Sequence, residues 1–211
     1  GVRLVGSEMC IRDRDNGWDR VAVSAMYNSR VVAAYFNETH NRKGLDGRGA
    51  RLHSIVNFAP LVADADEQFN LRNNALWAPD IQSMIYGKGD PLNNFAIALD
   101  VAAHEFSHGV INNSSNLAYK YESGALNESF ADLMGVMVDR DDWLIGEELS
   151  ETNIGERSFK DPAARGQPSH YNRRVISPNT QEGDWGGVHY NSGIQNRAFY
   201  LIAEGLSQEG L

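Results

Sequence analysis

Two histidines and a glutamate stand at a fixed spacing in Asp100-Val101-Ala102-Ala103-His104-Glu105-Phe106-Ser107-His108-Gly109. On a helix, residues four apart share one face, so His104 and His108 can offer two imidazoles to a single cation. Glu105, next to the first of them, can reach a water on that ion. This is the residue pattern of zinc-dependent hydrolysis, with Glu105 as general base.

The element that must carry these groups is a helix. No Gly or Pro interrupts Phe95 to His108, Ala and Leu favour the helical backbone, and the run is apolar on both flanks. The spacing predicts a helix over about 94–112. A catalytic zinc ordinarily takes three protein ligands and leaves one position open. The next segment supplies a candidate: Gly124 to Arg140 reads as a second helix, with Leu126, Phe130, Leu133, Met134, Met137 and Val138 as its apolar stripe. The intervening polar stretch from Asn113 to Lys120 is long enough to reverse direction, so the two helices can pack antiparallel. Glu128 then becomes the third ligand. Asp132, one turn on, can accept the second N–H of a ligating histidine and hold its tautomer. Helix acids more often face solvent, but both lie beside a stripe that must be buried.

Elsewhere the chain alternates between short elements and polar connections. Asp19 to Phe36 reads as a helix on the spacing of Val21, Ala25, Val32 and Phe36. Arg51–Phe58 and Ile81–Tyr86 read as strands, with the short apolar Ala75-Leu76-Trp77 between them and a polar, irregular stretch over 64–74. Residues 139–151 are acidic around Trp143-Leu144-Ile145, and 153–187 is a long loop, a length that in a compact domain points to function. Ser192 to Leu206 reads as a last helix, with Ile194, Ala198, Leu201 and Ile202 on one face.

The 211 residues, 42% of them hydrophobic and 22% charged, describe a soluble globular chain. A net charge of −9 argues against nucleic acid or an anionic membrane as a partner and suits hard cations. No run has the length of a membrane-spanning helix. Cys10 is the sole cysteine, so thiolates cannot build the metal site. It lies in Met9-Cys10-Ile11-Arg12-Asp13-Arg14, which resembles the translation of a sequencing-library adaptor. Residues 1–14 are therefore read as a non-native segment and set aside.

Five ordered blocks carry a family resemblance. They are Asn73-Asn74-Ala75-Leu76-Trp77, the H-E-x-x-H stretch, Gly124-Ala125-Leu126-Asn127-Glu128-Ser129-Phe130-Ala131-Asp132, Arg157-Ser158-Phe159-Lys160-Asp161-Pro162 and Asp184-Trp185-Gly186-Gly187-Val188-His189-Tyr190-Asn191-Ser192-Gly193-Ile194. Together they resemble the thermolysin-like zinc metalloproteases, from about Asp19 to Gly205. The resemblance implies an α+β, zincin-like catalytic core with the H-E-x-x-H helix at the base of a cleft. It implies zinc on His104, His108 and Glu128, with Asp132 behind them. It makes Glu105 the proton shuttle, His189 (oriented by Asp184) and Tyr119 donors to the oxyanion, Asn74 and the Ala75 backbone partners of the substrate backbone, and Arg157 a donor to the carbonyl on the leaving side. Val101, Ile145 and Leu149 would line the pocket for the residue after the scissile bond, implying cleavage before bulky apolar residues, although Glu156 stands where a further apolar residue is expected. One structural calcium would sit on Asp100, Asp139, Asp142, Glu147 and the Leu144 carbonyl.

The match starts inside the usual catalytic unit and stops before its end. The expectation is therefore a piece of a longer gene: residues 15–191 a catalytic core without its β-rich N-terminal part, and 192–211 the first helix of a helical C-terminal subdomain. Exposed apolar surface should follow. The resemblance further implies a secreted parent made with an inhibitory propeptide, acting on peptide or protein substrates. The rival readings are a zinc-binding, peptide-binding remnant without turnover and a zinc hydrolase of small esters or amides.

Overall fold

A computed structural model describes residues 19–59, 65–89, 94–149, 152 and 154–205. Cys10 and the 1–14 segment lie outside the described residues. The first helix, α1 (Arg20–His40), begins where the Asp19 carboxylate accepts from the Ala22 N–H at 3.0 Å and ends at Asn41 in the left-handed region. It runs one turn beyond the expected end. Ala22, Ala25, Val32 and Phe36 form its buried stripe, and the Phe36 ring packs on Phe106 with centroids 5.1 Å apart.

A three-stranded sheet follows. The strand β1 (Ser54–Phe58) pairs parallel with β3 (Ser83–Gly87), which pairs antiparallel with β2 (Ala75–Ala78), giving the order β1-β3-β2. All five residues of β3 are buried, as suits the central strand. The strand β2 is left as an edge. Between β1 and β2 lies α2 (Ala65–Arg72), where the sequence reading has an irregular stretch. Ala65, Glu67, Gln68 and Leu71 favour a helix locally, but without an apolar stripe there was no period to detect.

The helix α3 (Leu99–Asn112), entered through a 3₁₀ turn at Phe95–Ile97, is buried from Asp100 through Ser107. It packs against α1 and against α4 (Tyr121–Val138). The expected stripe of α4 is corrected in part. Leu126 and Phe130 are 37% and 39% exposed, whereas Gly124, Ala125, Glu128, Ala131, Asp132 and Gly135 are buried. Small residues let neighbouring helices approach, and the buried acids are paired. A Cβ on Gly124 would stand 2.4 Å from Val188 Cγ1, so only glycine admits the last helix, α5 (Asp184–Glu204), this closely.

The range of α5 starts earlier than expected because it takes in a left-handed turn ahead of the regular helix. Asp184, Trp185, Gly186 and Gly187 all have positive φ, at 51°, 50°, 92° and 80°. The regular helix that follows buries Val188, Ser192, Asn196 and Tyr200, four apart. The expected face is corrected here too: Ile202 is 79% exposed, because α4 meets the polar and small side. Between α4 and α5, β4 (Leu144–Ile145) and β5 (Arg157–Ser158) pair antiparallel, and the rest of the long segment is loop and 3₁₀ turns. The result is an α+β fold with α3 at its centre. No helix among the described residues is long and apolar enough to cross a membrane.

Candidate active site

Each helix brings its own part of the site. One ligand atom from each of His104, His108 and Glu128 falls within 4.8 Å of the others. His104 Nε2 and His108 Nε2 face each other at 2.9 Å, and Glu128 lies 3.4 Å from the first and 3.2 Å from the second. The opposite ring nitrogens decide what this contact means. His104 Nδ1 stands 2.8 Å from the Asp132 carboxylate, and His108 Nδ1 stands 2.8 Å from Asn127 Oδ1. Asn127 Nδ2 donates to the Leu117 carbonyl at 3.2 Å, which aims its oxygen at His108. Both acceptors take the N–H of Nδ1, which leaves the two Nε2 atoms facing each other beside a carboxylate.

Two imidazole nitrogens converging on a carboxylate call for a positive charge, supplied by a proton or by a cation. Burial opposes charge on His104, but its hydrogen bonds to Asp132 and Glu128 raise it to about 10. Burial likewise works against the Glu128 carboxylate, yet the imidazoles of His189, His108 and His104 hold it well below its usual range. Glu128 Oε2 is buried, and among the described residues its approach from His104 Nε2 at 3.4 Å is too poor in geometry to satisfy it. One nitrogen from each histidine and one carboxylate suit zinc in kind and number.

Around this centre Glu105 is 5% exposed, and its Oε2 is also buried without a donor. Asp132, fully buried, takes Arg157 Nε at 2.9 Å and Nη2 at 2.7 Å and the Asn196 amide at 2.8 Å. Arg157, ahead of His104, keeps Asp132 ionised against its burial. Tyr119 donates to Glu128 Oε1 and lies 3.1 Å from His189 Nε2. Asp184 accepts from the His189 backbone N–H at 2.8 Å and from Nδ1 at 2.5 Å, a grip that the bend at the start of α5 makes possible. Burial opposes charge on His189, but Glu128 and Asp184 prevail and raise it above its ordinary value. The Gln167 amide donates to the His189 carbonyl at 2.6 Å and secures the turn from below.

Two cavities meet over these groups. One, of about 630 Å³, is lined by Asn74, Ala75, Trp77, Leu117, Tyr119 and Trp185. The other, of about 220 Å³, is lined by Val101, Ile145, Leu149, Phe95, Glu156 and Arg157. Asn74, Ala75, His104, Glu105 and His189 border both. An extended chain laid along β2 would cross from one cavity to the other beside Glu105.

The acidic region differs from its expected form. Asp100, Glu147 and Glu148 come within 4.8 Å of one another, while Asp139 and Asp142 stand outside that group. Asp142 instead accepts from the Leu144 N–H at 2.7 Å, a local turn contact open to any aspartate two residues upstream. Burial, then the nearby acids Asp100, Glu147 and Asp139, push Glu148 up to about 8, and burial with Glu147 and Asp139 pushes Asp100 up to about 7. Sequence reasoning passed over Glu148, Asn127 and Asn196. Asn127 sits beside Glu128 in the recognised block, but nothing in the sequence aims it at His108.

Two family models match the chain: "Thermolysin metallopeptidase, catalytic domain" over residues 4–112 and "Thermolysin metallopeptidase, alpha-helical domain" over residues 115–211. The chain is 42% identical over 205 residues to a bacillolysin of Brevibacillus brevis, covering 94% of this chain and 36% of that protein. It is 40% identical over 213 residues to an extracellular elastase of Staphylococcus epidermidis, covering 97% and 40%. The solved precursor of protealysin, a metalloproteinase from Serratia proteamaculans, superposes with a TM-score of 0.73 at 34% identity, covering 92% of this chain and 63% of that one. The chain thus spans well under half of the two sequence relatives named.

Proposed function

Because the chain belongs to the thermolysin metallopeptidase family, we propose that the protein is a zinc-dependent endopeptidase and that His104, His108 and Glu128 hold the metal. The observation that carries this reading is the pair of inward-facing Nε2 atoms, 2.9 Å apart beside Glu128, with both Nδ1 atoms occupied elsewhere. A zinc ion there would polarise the scissile carbonyl and bring a water's pKa to about 7. Glu105 takes the proton of the attacking water and delivers it to the leaving amine. His189, held by Asp184, and Tyr119 donate to the carbonyl oxygen as negative charge builds on it. Asn74 and the Ala75 backbone pair with the substrate, which adds to the free edge of β2 as an extra strand. Arg157 has Nε and Nη2 committed to Asp132, which leaves Nη1 for the substrate carbonyl on the leaving side. Val101, Ile145 and Leu149 receive a bulky apolar side chain after the scissile bond.

The extracellular relative and the precursor form of protealysin favour a secreted protein matured from a longer precursor. The test is zinc content and cleavage of a quenched peptide, measured on protein from the medium of expressing cells. About one zinc per chain is expected, with cleavage abolished by a chelator and restored by zinc. A folded protein that binds no zinc overturns the reading. One that binds zinc but cleaves nothing is a peptide-binding protein instead.

Calcium is the second cation we propose, on Asp100, Glu147 and Glu148, with Asp139, Asp142 and the Leu144 carbonyl within the same acidic loop. Burial first, then mutual repulsion, raises Asp139 and Glu147 as well, a cost that a divalent cation relieves. Saturating calcium at about a hundred times its Kd should add roughly 2.7 kcal/mol of stability. A melting temperature that is the same in calcium and in a calcium-selective chelator would refute this.

A further inference from the structure

The smaller cavity has one wall residue that does not match the rest. Val101, Ile145, Leu149 and Phe95 make an apolar floor, and Glu156 joins them. The backbone of Glu156 is fixed, because its N–H donates to the Ile145 carbonyl at 2.7 Å. A Cβ on Gly146 would meet Glu156 Cγ at 3.3 Å and Leu149 Cδ1 at 3.5 Å, so the carbon stem of Glu156 lies against the pocket wall beside Leu149. Its carboxylate is exposed, and among the described residues no hydrogen bond or ion pair engages it. The other ionisable groups on the cavity are His104, Glu105, Arg157 and His189. Arg157, the adjacent residue, turns its guanidinium to Asp132 and is matched there. His104 and Glu105 lie on the catalytic side, and His189 is held by Asp184. Glu156 is thus a free anion at the rim of an apolar pocket.

We propose that Glu156 widens the specificity of this pocket, so that lysine or arginine is accepted after the scissile bond alongside bulky apolar residues. The proposal rests on the peptidase reading above. A lysine stem of four carbons lies along Ile145 and Leu149 as a leucine or norleucine would, and its ammonium group ends at the rim, where Glu156 meets it. An acidic residue at the same place meets like charge and is rejected.

The test uses the zinc-loaded protein as its gene encodes it, with Glu156→Gln and Glu156→Leu. The substrates are quenched peptides identical except for lysine, norleucine or glutamate after the scissile bond, with the cut confirmed by mass spectrometry. Norleucine keeps the stem without the charge. The ratio of kcat/KM for lysine over norleucine should fall about three- to fivefold in Glu156→Gln, the size of a partly exposed ion pair. The norleucine rate of each protein is the reference against which its lysine rate is read, and high salt should shrink the wild-type ratio. A ratio that is the same in all three proteins overturns the inference while leaving the peptidase reading intact. Failure of the wild type to cleave the norleucine peptide overturns both.

Discussion

A Glu105→Gln protein should keep its zinc and lose cleavage by roughly 10²–10⁴-fold, the range for removal of a general acid-base. Glutamine has nearly the same shape, so the buried position is filled, and the three ligand atoms on α3 and α4 are untouched. Only the ability to accept and return a proton disappears. Glu105 faces both cavities with one oxygen free of donors, which is where a base for the attacking water must stand. Zinc titration beside single-turnover cleavage would separate binding from chemistry. Residual cleavage within a factor of about five of wild type would remove Glu105 from the mechanism, since a general base is worth far more.

Asp132→Ala should be the most destabilising single change. The carboxylate is fully buried and serves four groups: His104 Nδ1, Arg157 Nε, Arg157 Nη2 and Asn196 Nδ2. Its removal leaves the Arg157 charge uncompensated, and breaking a buried pair from one side costs about 3–5 kcal/mol. For a chain of this size that lowers Tm on the order of 10 °C. His104 also loses the partner that fixes its tautomer, so zinc affinity should fall about 10–100-fold. Urea unfolding in a metal chelator isolates the first effect, and zinc competition on the folded protein isolates the second. A loss of only about 1 kcal/mol, typical of an ordinary substitution, would mean that Arg157 finds another partner and that the network does not anchor the site.

The two predictions draw on information of different range. His104, Glu105 and His108 could be placed on one helix face from spacing alone, because helical periodicity follows from backbone geometry within a single turn. The five ordered blocks made the thermolysin-like family recognisable, and the family models agree. The same short-range logic located α1, α3 and α4, and the resemblance implied the α+β class. The short-range logic failed at α2, which has no stripe, and it misplaced part of the buried face on α4 and α5. There Leu126, Phe130 and Ile202 looked like core, but close helix packing favoured Gly124, Ala131 and Asn196.

Composition and spacing by themselves thus determined the H-E-x-x-H helix and pointed to Glu128 and Asp132 on the next one, while the resemblance supplied the roles of His189, Asp184, Tyr119, Asn74 and Arg157. Only the tertiary structure decided how they face one another. Asn127 reaches His108 across 19 positions, Asn196 reaches Asp132 across 64, and Tyr119 approaches His189 across 70. The Glu156 carboxylate likewise became a feature of a pocket only when β5 paired with β4. Contacts of that range depend on how helices and loops pack, and packing is the joint outcome of the whole chain burying its apolar surface while satisfying its buried polar groups.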